Sequence, residues 1–119
     1  MERVFTIEEA RAVLADAERS IAAFIELRAE FAELRWTLEH DRASASGGIA
    51  ELKALEARLD THMSPLRDHG VQIKGFAPLL LDFPATRDGR SVLLCWLEGE
   101  AELAWWHPVE LGIMGRRRL

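Results

Sequence analysis

The chain has 119 residues, 49% of them aliphatic, aromatic or cysteine, so it can bury a core as one domain over residues 1–119, and wholesale disorder is excluded. A net charge of −5 argues against a nucleic-acid binder, whose phosphate contacts need a basic face. No apolar run approaches the ~20 residues of a membrane span, the opening MERVFTIEEA lacks the apolar centre of a secretory signal, and one cysteine forms no internal disulfide, which together point to a cytoplasmic protein.

The first predicted element is a long helix. Thr6-Ile7-Glu8-Glu9 reads as a capping box, in which the Thr6 hydroxyl and the Glu9 carboxylate each accept from the other residue's backbone N–H. Apolar residues then return at spacings of three and four (Ile7, Ala10, Leu14, Ala17, Ile21, Phe24, Phe31, Leu38), predicting one helix from Ile7 to His40, roughly 50 Å long. A second apolar line, Val13, Leu27, Leu34 and Trp36, asks for a second neighbour. Arg42 to Gly48 is small and polar and ends in two glycines, as a turn does. The next helix carries Ile49, Leu52, Leu55, Leu59, Met63 and Leu66 on one side, should kink or stop early at Ser64-Pro65, and has Gly70 as its C-cap. The short link makes residues 7–69 an antiparallel helical hairpin.

Residues 70–119 read as strands. Val71–Lys74, Leu79–Phe83, Ser91–Trp96 and Glu102–Trp106 are the predicted segments, with turns at Arg87-Asp88-Gly89-Arg90 and Leu97-Glu98-Gly99-Glu100. Strand 91–96 is apolar on both faces, so both should be covered, one of them by a second subunit. Asp82 is a carboxylate in an apolar strand. A two-residue turn at Asp88-Gly89 sets it opposite Cys95, and a three-residue bulged loop sets Leu94 there instead. The fold class expected is α+β: a long antiparallel helical hairpin packed on an antiparallel β-meander of three to four strands. The basic tail Arg116–Arg118 reads as a solvated end, with phosphate or an acidic partner helix as the alternative.

The polar residues of this half are the candidate site. Asp82, Arg90 and Glu100 supply charge, Trp96 and Trp106 stacking surface, and His107 a hydrogen bond, as a ligand-binding pocket near a subunit contact. Donors for Asp82 are sought in Arg87, Arg90 and the indole N–H groups. His107 and Glu110, three residues apart, form half of a divalent-metal site that Asp82, Glu100 or Glu102 would have to complete. Cys95 lies between Leu94 and Trp96, a setting that raises a thiol's pKa and makes it structural rather than nucleophilic. No phosphate-loop or dinucleotide fingerprint occurs, and no catalytic residue is assigned.

Asp82-Phe83-Pro84, Arg87-Asp88-Gly89-Arg90, Cys95-Trp96, Gly99-Glu100, Trp106-His107 and Gly112…Gly115-Arg116, after a Thr-Ile-Glu-Glu-Ala opening and a helical hairpin, resemble the prokaryotic family called domain of unknown function 2203. The resemblance spans nearly the whole chain, with departures at Ala101 and Arg116–Arg118, where the family has Gly or Pro and a less basic end. It implies that these polar residues belong to one shared feature and brings no activity with it. The expectation is an oligomeric binding or regulatory protein with a polar–aromatic pocket, a homo-oligomer that engages neither membrane nor nucleic acid. The rivals are a metal-assisted hydrolase using His107, Glu110 and a further carboxylate, and a coiled-coil adaptor with no pocket.

Overall fold

The computed structural model describes residues 3–40 and 47–119. The turn expected at Arg42–Gly48 therefore lies, except for its two glycines, outside the described residues. The chain is α+β, with three helices and a five-stranded antiparallel sheet in which neighbours in sequence are neighbours in space, β1-β2-β3-β4-β5. It divides into two compact units, one ending at Asp16 and resuming from Leu66 to Leu119, the other Ala17–Pro65.

The helices start at capping chemistry. Thr6 N–H donates to Glu9 Oε1 at 2.8 Å and Glu9 N–H donates to Thr6 Oγ1 at 3.0 Å, closing the expected box. These bonds hold the Glu9 carboxyl below its ordinary range. Helix α1 (Ile7–Asp16) follows, then α2 (Glu18–His40), with Ala17 outside both and its carbonyl accepting from Ile21 N–H at 2.8 Å. The single helix expected over 7–40 is thus two, and no glycine or proline announces the break. The buried set Ile21, Phe24, Leu27 and Leu34 mixes the two apolar lines read from the sequence, while Trp36 is 57% exposed and stacks on His40 at 4.2 Å.

Helix α3 (Ile49–Asp68) begins where Gly48 N–H donates to Glu51 Oε1 at 2.6 Å. It runs through Pro65 instead of stopping there. Its last turn is held by the buried Leu66 and by a Schellman closure: Val71 N–H donates to Leu66 O, Gly70 N–H to Arg67 O, and Gly70 takes φ 95°. The C-terminal half of α2 (Glu30, Leu34, Thr37) and the N-terminal half of α3 (Glu51, Leu55, Arg58) line one cleft, as the two arms of a helical hairpin do.

The sheet consists of β1 (Gln72–Phe76), β2 (Leu79–Arg87), β3 (Arg90–Leu97), β4 (Trp105–Pro108) and β5 (Arg117–Arg118). The strand beyond the three or four expected comes from the arginine tail: Arg117 and Arg118 pair with Trp106 and Trp105, so the tail is sheet edge rather than a free end. Between β2 and β3, Arg87 pairs with Arg90 across a two-residue turn in which Asp88 (φ 51°) and Gly89 (φ 76°) are both left-handed, the mirror-image turn that suits a twisted hairpin. Around Gly89 an added Cβ would meet nothing within 4 Å, so only backbone strain opposes a side chain there. Gly89→Ala is expected to lower stability by about 1–2 kcal/mol in urea denaturation; an unchanged midpoint would contradict this turn geometry.

The register follows from that turn. Asp82 stands opposite Cys95, Phe83 opposite Leu94 and Leu81 opposite Trp96. The following link differs from the expected tight turn. Strand β4 starts at Trp105, not Glu102, because the residues before it make a loop with its own anchors. Leu97 N–H donates to Glu100 Oε1 at 2.6 Å, Glu98 N–H donates to Leu79 O at 2.8 Å, and the carbonyl of the fully buried Leu103 accepts from Arg11 Nε and Nη2 of α1.

On one face of the sheet Leu81 and Phe83 are fully buried, and Phe5 meets Phe83 edge-on with centroids 5.4 Å apart. Phe5 N–H also donates to Pro84 O at 2.7 Å, tying the segment before α1 to β2. Val92 to Trp96 are all buried within one chain. A strand apolar on both faces therefore finds its cover without a second copy, and the inference of a partner subunit from that pattern falls away.

Candidate functional site

Alternation along the strands sorts the candidate residues onto opposite faces. Asp82 pairs with Cys95, Leu93 with His107, and Cys95 with Trp105, which puts Asp82, Cys95, Trp105 and His107 on one face. Arg87, Arg90, Trp96 and Trp106 fall on the other, with Arg117 opposite Trp106. The six residues expected in one pocket are therefore divided. Asp82 and His107 come together on the first face, Arg90 and Trp106 line a cavity on the second, and Glu100 belongs to the β3–β4 loop.

The first face carries a buried polar cluster. Asp82 is 3%, His107 2% and Cys95 0% exposed, and their ligating atoms all lie within 4.8 Å of one another. His107 Nδ1 is 2.8 Å from Pro108 O, and since a carbonyl only accepts, Nδ1 carries the hydrogen. Nε2 faces both Asp82 oxygens at 3.3 Å. The donors to Asp82 are thus His107 and the Cys95 thiol, not the arginines and indoles sought from sequence. Burial first, then the Asp82 charge, pushes the Cys95 thiol from 9.0 to about 12, against the pull of Arg116. A thiol so placed remains protonated and donates to Asp82. Nor does His107 serve as its base: the ring nitrogen beside Asp82 is Nε2, and Nδ1 is engaged by backbone, so the imidazole does not bridge acid and thiol as a nucleophilic triad requires. Glu110 is exposed on the turn beyond β4, outside this cluster.

On the second face a cavity of about 630 Å³ is lined by Arg87, Asp88, Arg90, Ser91, Val92, Trp106, Pro108, Glu110, Leu111 and Arg117. The Arg87 guanidinium lies 4.8 Å and that of Arg117 5.7 Å from the Trp106 ring centre. Among the described residues no hydrogen bond or ion pair engages the guanidinium of Arg87, Arg90 or Arg117. Trp96 is not part of this cavity; it is buried farther along β3, its indole N–H donating to Glu100 O at 3.1 Å.

Glu100 pairs with Arg116, whose Nη2 reaches both carboxylate oxygens at 2.6 and 2.7 Å. Arg116 and Arg118 stack on Trp105 at 4.8 and 5.2 Å, as Arg87 and Arg117 do on Trp106. The sequence reading missed Arg87 and Arg117 as lining residues. The run Arg116–Arg118 after a Trp-Trp pair was the available signal, since a strand places alternate arginines over alternate rings.

Over residues 3–119 the chain matches the family described as Uncharacterized conserved protein (DUF2203). The chain belongs to that family. No curated protein and no solved structure matches it. Membership covers the helices, the cluster and the cavity alike, so both polar features sit in the part of the chain that defines the family. Among the described residues no helix is long and apolar enough to cross a membrane.

Proposed function

We propose that this chain is a binding protein for a small, multiply charged oxyanion, taken up in the cavity framed by Arg87, Arg90, Arg117 and Trp106. The observation that carries this reading is three guanidiniums in one cavity with Trp106, none with a carboxylate partner among the described residues, in a protein of net charge −5. The Trp106 ring positions two of these planar guanidiniums and leaves their N–H edges for bidentate contacts to phosphate or carboxylate oxygens. Asp88 and Glu110 on the rim repel singly placed anions and favour a ligand that reaches all three cations. Binding there would serve a regulatory or carrier role.

Titration calorimetry at low salt with pyrophosphate and, separately, with a tricarboxylate is the test. Saturable binding of one or both is expected, weakened about tenfold or more by Arg87→Ala or Arg117→Ala. No heat with either at millimolar concentration would end the reading.

The same proposal includes self-association in the cytoplasm. Its support is the exposed apolar surface of the helical unit, where Trp36 and Ile49 are 57% and 64% exposed, and the unpaired thiol, which suits a reducing compartment. Light scattering that finds a 13.4 kDa particle at micromolar concentration would remove the self-association.

A further inference from the structure

We infer that Asp82, Cys95 and His107 are a binding site for a thiophilic divalent cation of the zinc type, on the face of the sheet opposite the arginine cavity. The donor set is one thiol sulfur, one imidazole nitrogen and one carboxylate, the combination that favours Zn²⁺ over the oxygen-seeking Mg²⁺ and Ca²⁺. The three sit on adjacent strands whose register fixes their spacing: Cys95 is opposite Asp82, and His107 is opposite Leu93, two residues along on the same face. Their ligating atoms lie within 4.8 Å of one another, whereas a tetrahedral Zn²⁺ holds its ligands roughly 3.3–3.8 Å apart. A contraction of no more than about 1.5 Å closes the set.

A second observation stands outside the cluster. The Nδ1–H of His107 is tied to the Pro108 carbonyl at 2.8 Å, which turns Nε2 towards Asp82. Ligating histidines are oriented in this way, by donating the far ring nitrogen to a fixed acceptor. Coordination is balanced by the loss of two protons, the thiol's and the one held between Nε2 and Asp82, replaced by one M²⁺. Three protein ligands leave a tetrahedral ion one ligand short, and in so buried a site only a single small ligand such as water fits that position.

This inference does not depend on the anion cavity, and its experiment reads a different signal. The full-length protein, freed of metal with a chelator, is titrated with Co²⁺, both folded and during refolding from urea, since the site is buried. The expected result is one Co²⁺ per chain with a sulfur-to-cobalt charge-transfer band in the near ultraviolet, displaced by Zn²⁺. Cys95 is the chain's one cysteine, so the band itself assigns the ligand with no variant needed. Cys95→Ser should abolish the band, and His107→Gln should weaken Co²⁺ binding by at least about tenfold. Absence of the band in both arms overturns the inference. So does Co²⁺ bound without the band, which would place the ion on His40, His62 or His69.

Discussion

Asp82→Ala is expected to lower the unfolding free energy by about 3–5 kcal/mol, enough to unfold a marginal domain outright. The magnitude follows from what the aspartate leaves behind. His107 Nε2 and the Cys95 thiol both face Asp82 in a region 3% exposed or less. Removing the carboxylate strands two buried donors with no water to turn to, and the cost of an unsatisfied buried group exceeds the net worth of the bond it made. A conservative partner separates this from simple loss of volume. Asp82→Asn keeps the shape and one acceptor, and should cost clearly less than the alanine variant. Urea midpoints of the two variants against the parent chain make the comparison. A loss below about 1 kcal/mol for Asp82→Ala would show that the cluster contributes little to holding β2, β3 and β4 in register.

A second large effect is expected on the alkaline side. The Cys95 thiol, at 9.0 in its ordinary state, is held near 12 by burial and by Asp82. Above about pH 9 the unfolded chain releases this proton and the folded chain keeps it, so the unfolded state gains and stability falls as pH rises. The contribution is complete below pH 9.0 and is lost towards about 12, amounting to about 4 kcal/mol. The chain contains no tyrosine, and its two lysines, Lys53 and Lys74, are exposed, so few other groups complicate this limb. Denaturation midpoints of metal-free protein, taken with a chelator present from about pH 8 to about pH 11, should slope downward for the parent chain and much less for Cys95→Ala. Parallel curves would refute the assignment. The same burial makes the native thiol slow towards alkylating reagents at neutral pH, a companion measurement on the same two proteins.

Much of the architecture was legible because local chemistry and global fold agree. The Thr6–Glu9 box, the Asp88-Gly89 turn and Gly70 at the helix end each name a backbone geometry that the chain adopts. The candidate site was legible only in part. Asp82 opposite Cys95 depended on whether the hairpin loop had two residues or three, and one residue of slip exchanges the faces of a whole strand. His107 depended on a second loop, whose length was set by Glu100 capping Leu97 N–H and by Leu103 docking through Arg11. Neither contact has a sequence period, so neither was readable. That is why one expected pocket became a buried cluster and an open cavity on opposite sides. The break at Ala17 carries no glycine or proline to announce it, and α3 continues through Pro65 to the buried Leu66 and the closure at Gly70, where local propensity alone predicts a stop.

The unit that holds the sheet is interrupted in sequence: it stops at Asp16 and resumes at Leu66. Phe5, just before α1, docks on residues 83 and 84, and Arg11 of α1 bonds to residue 103, so this segment leaves the ribosome 78 to 92 residues ahead of those partners. During vectorial synthesis the sheet can be completed only after its final strands have emerged. Truncations at the carboxyl end should therefore damage the very first helix as surely as the last strand.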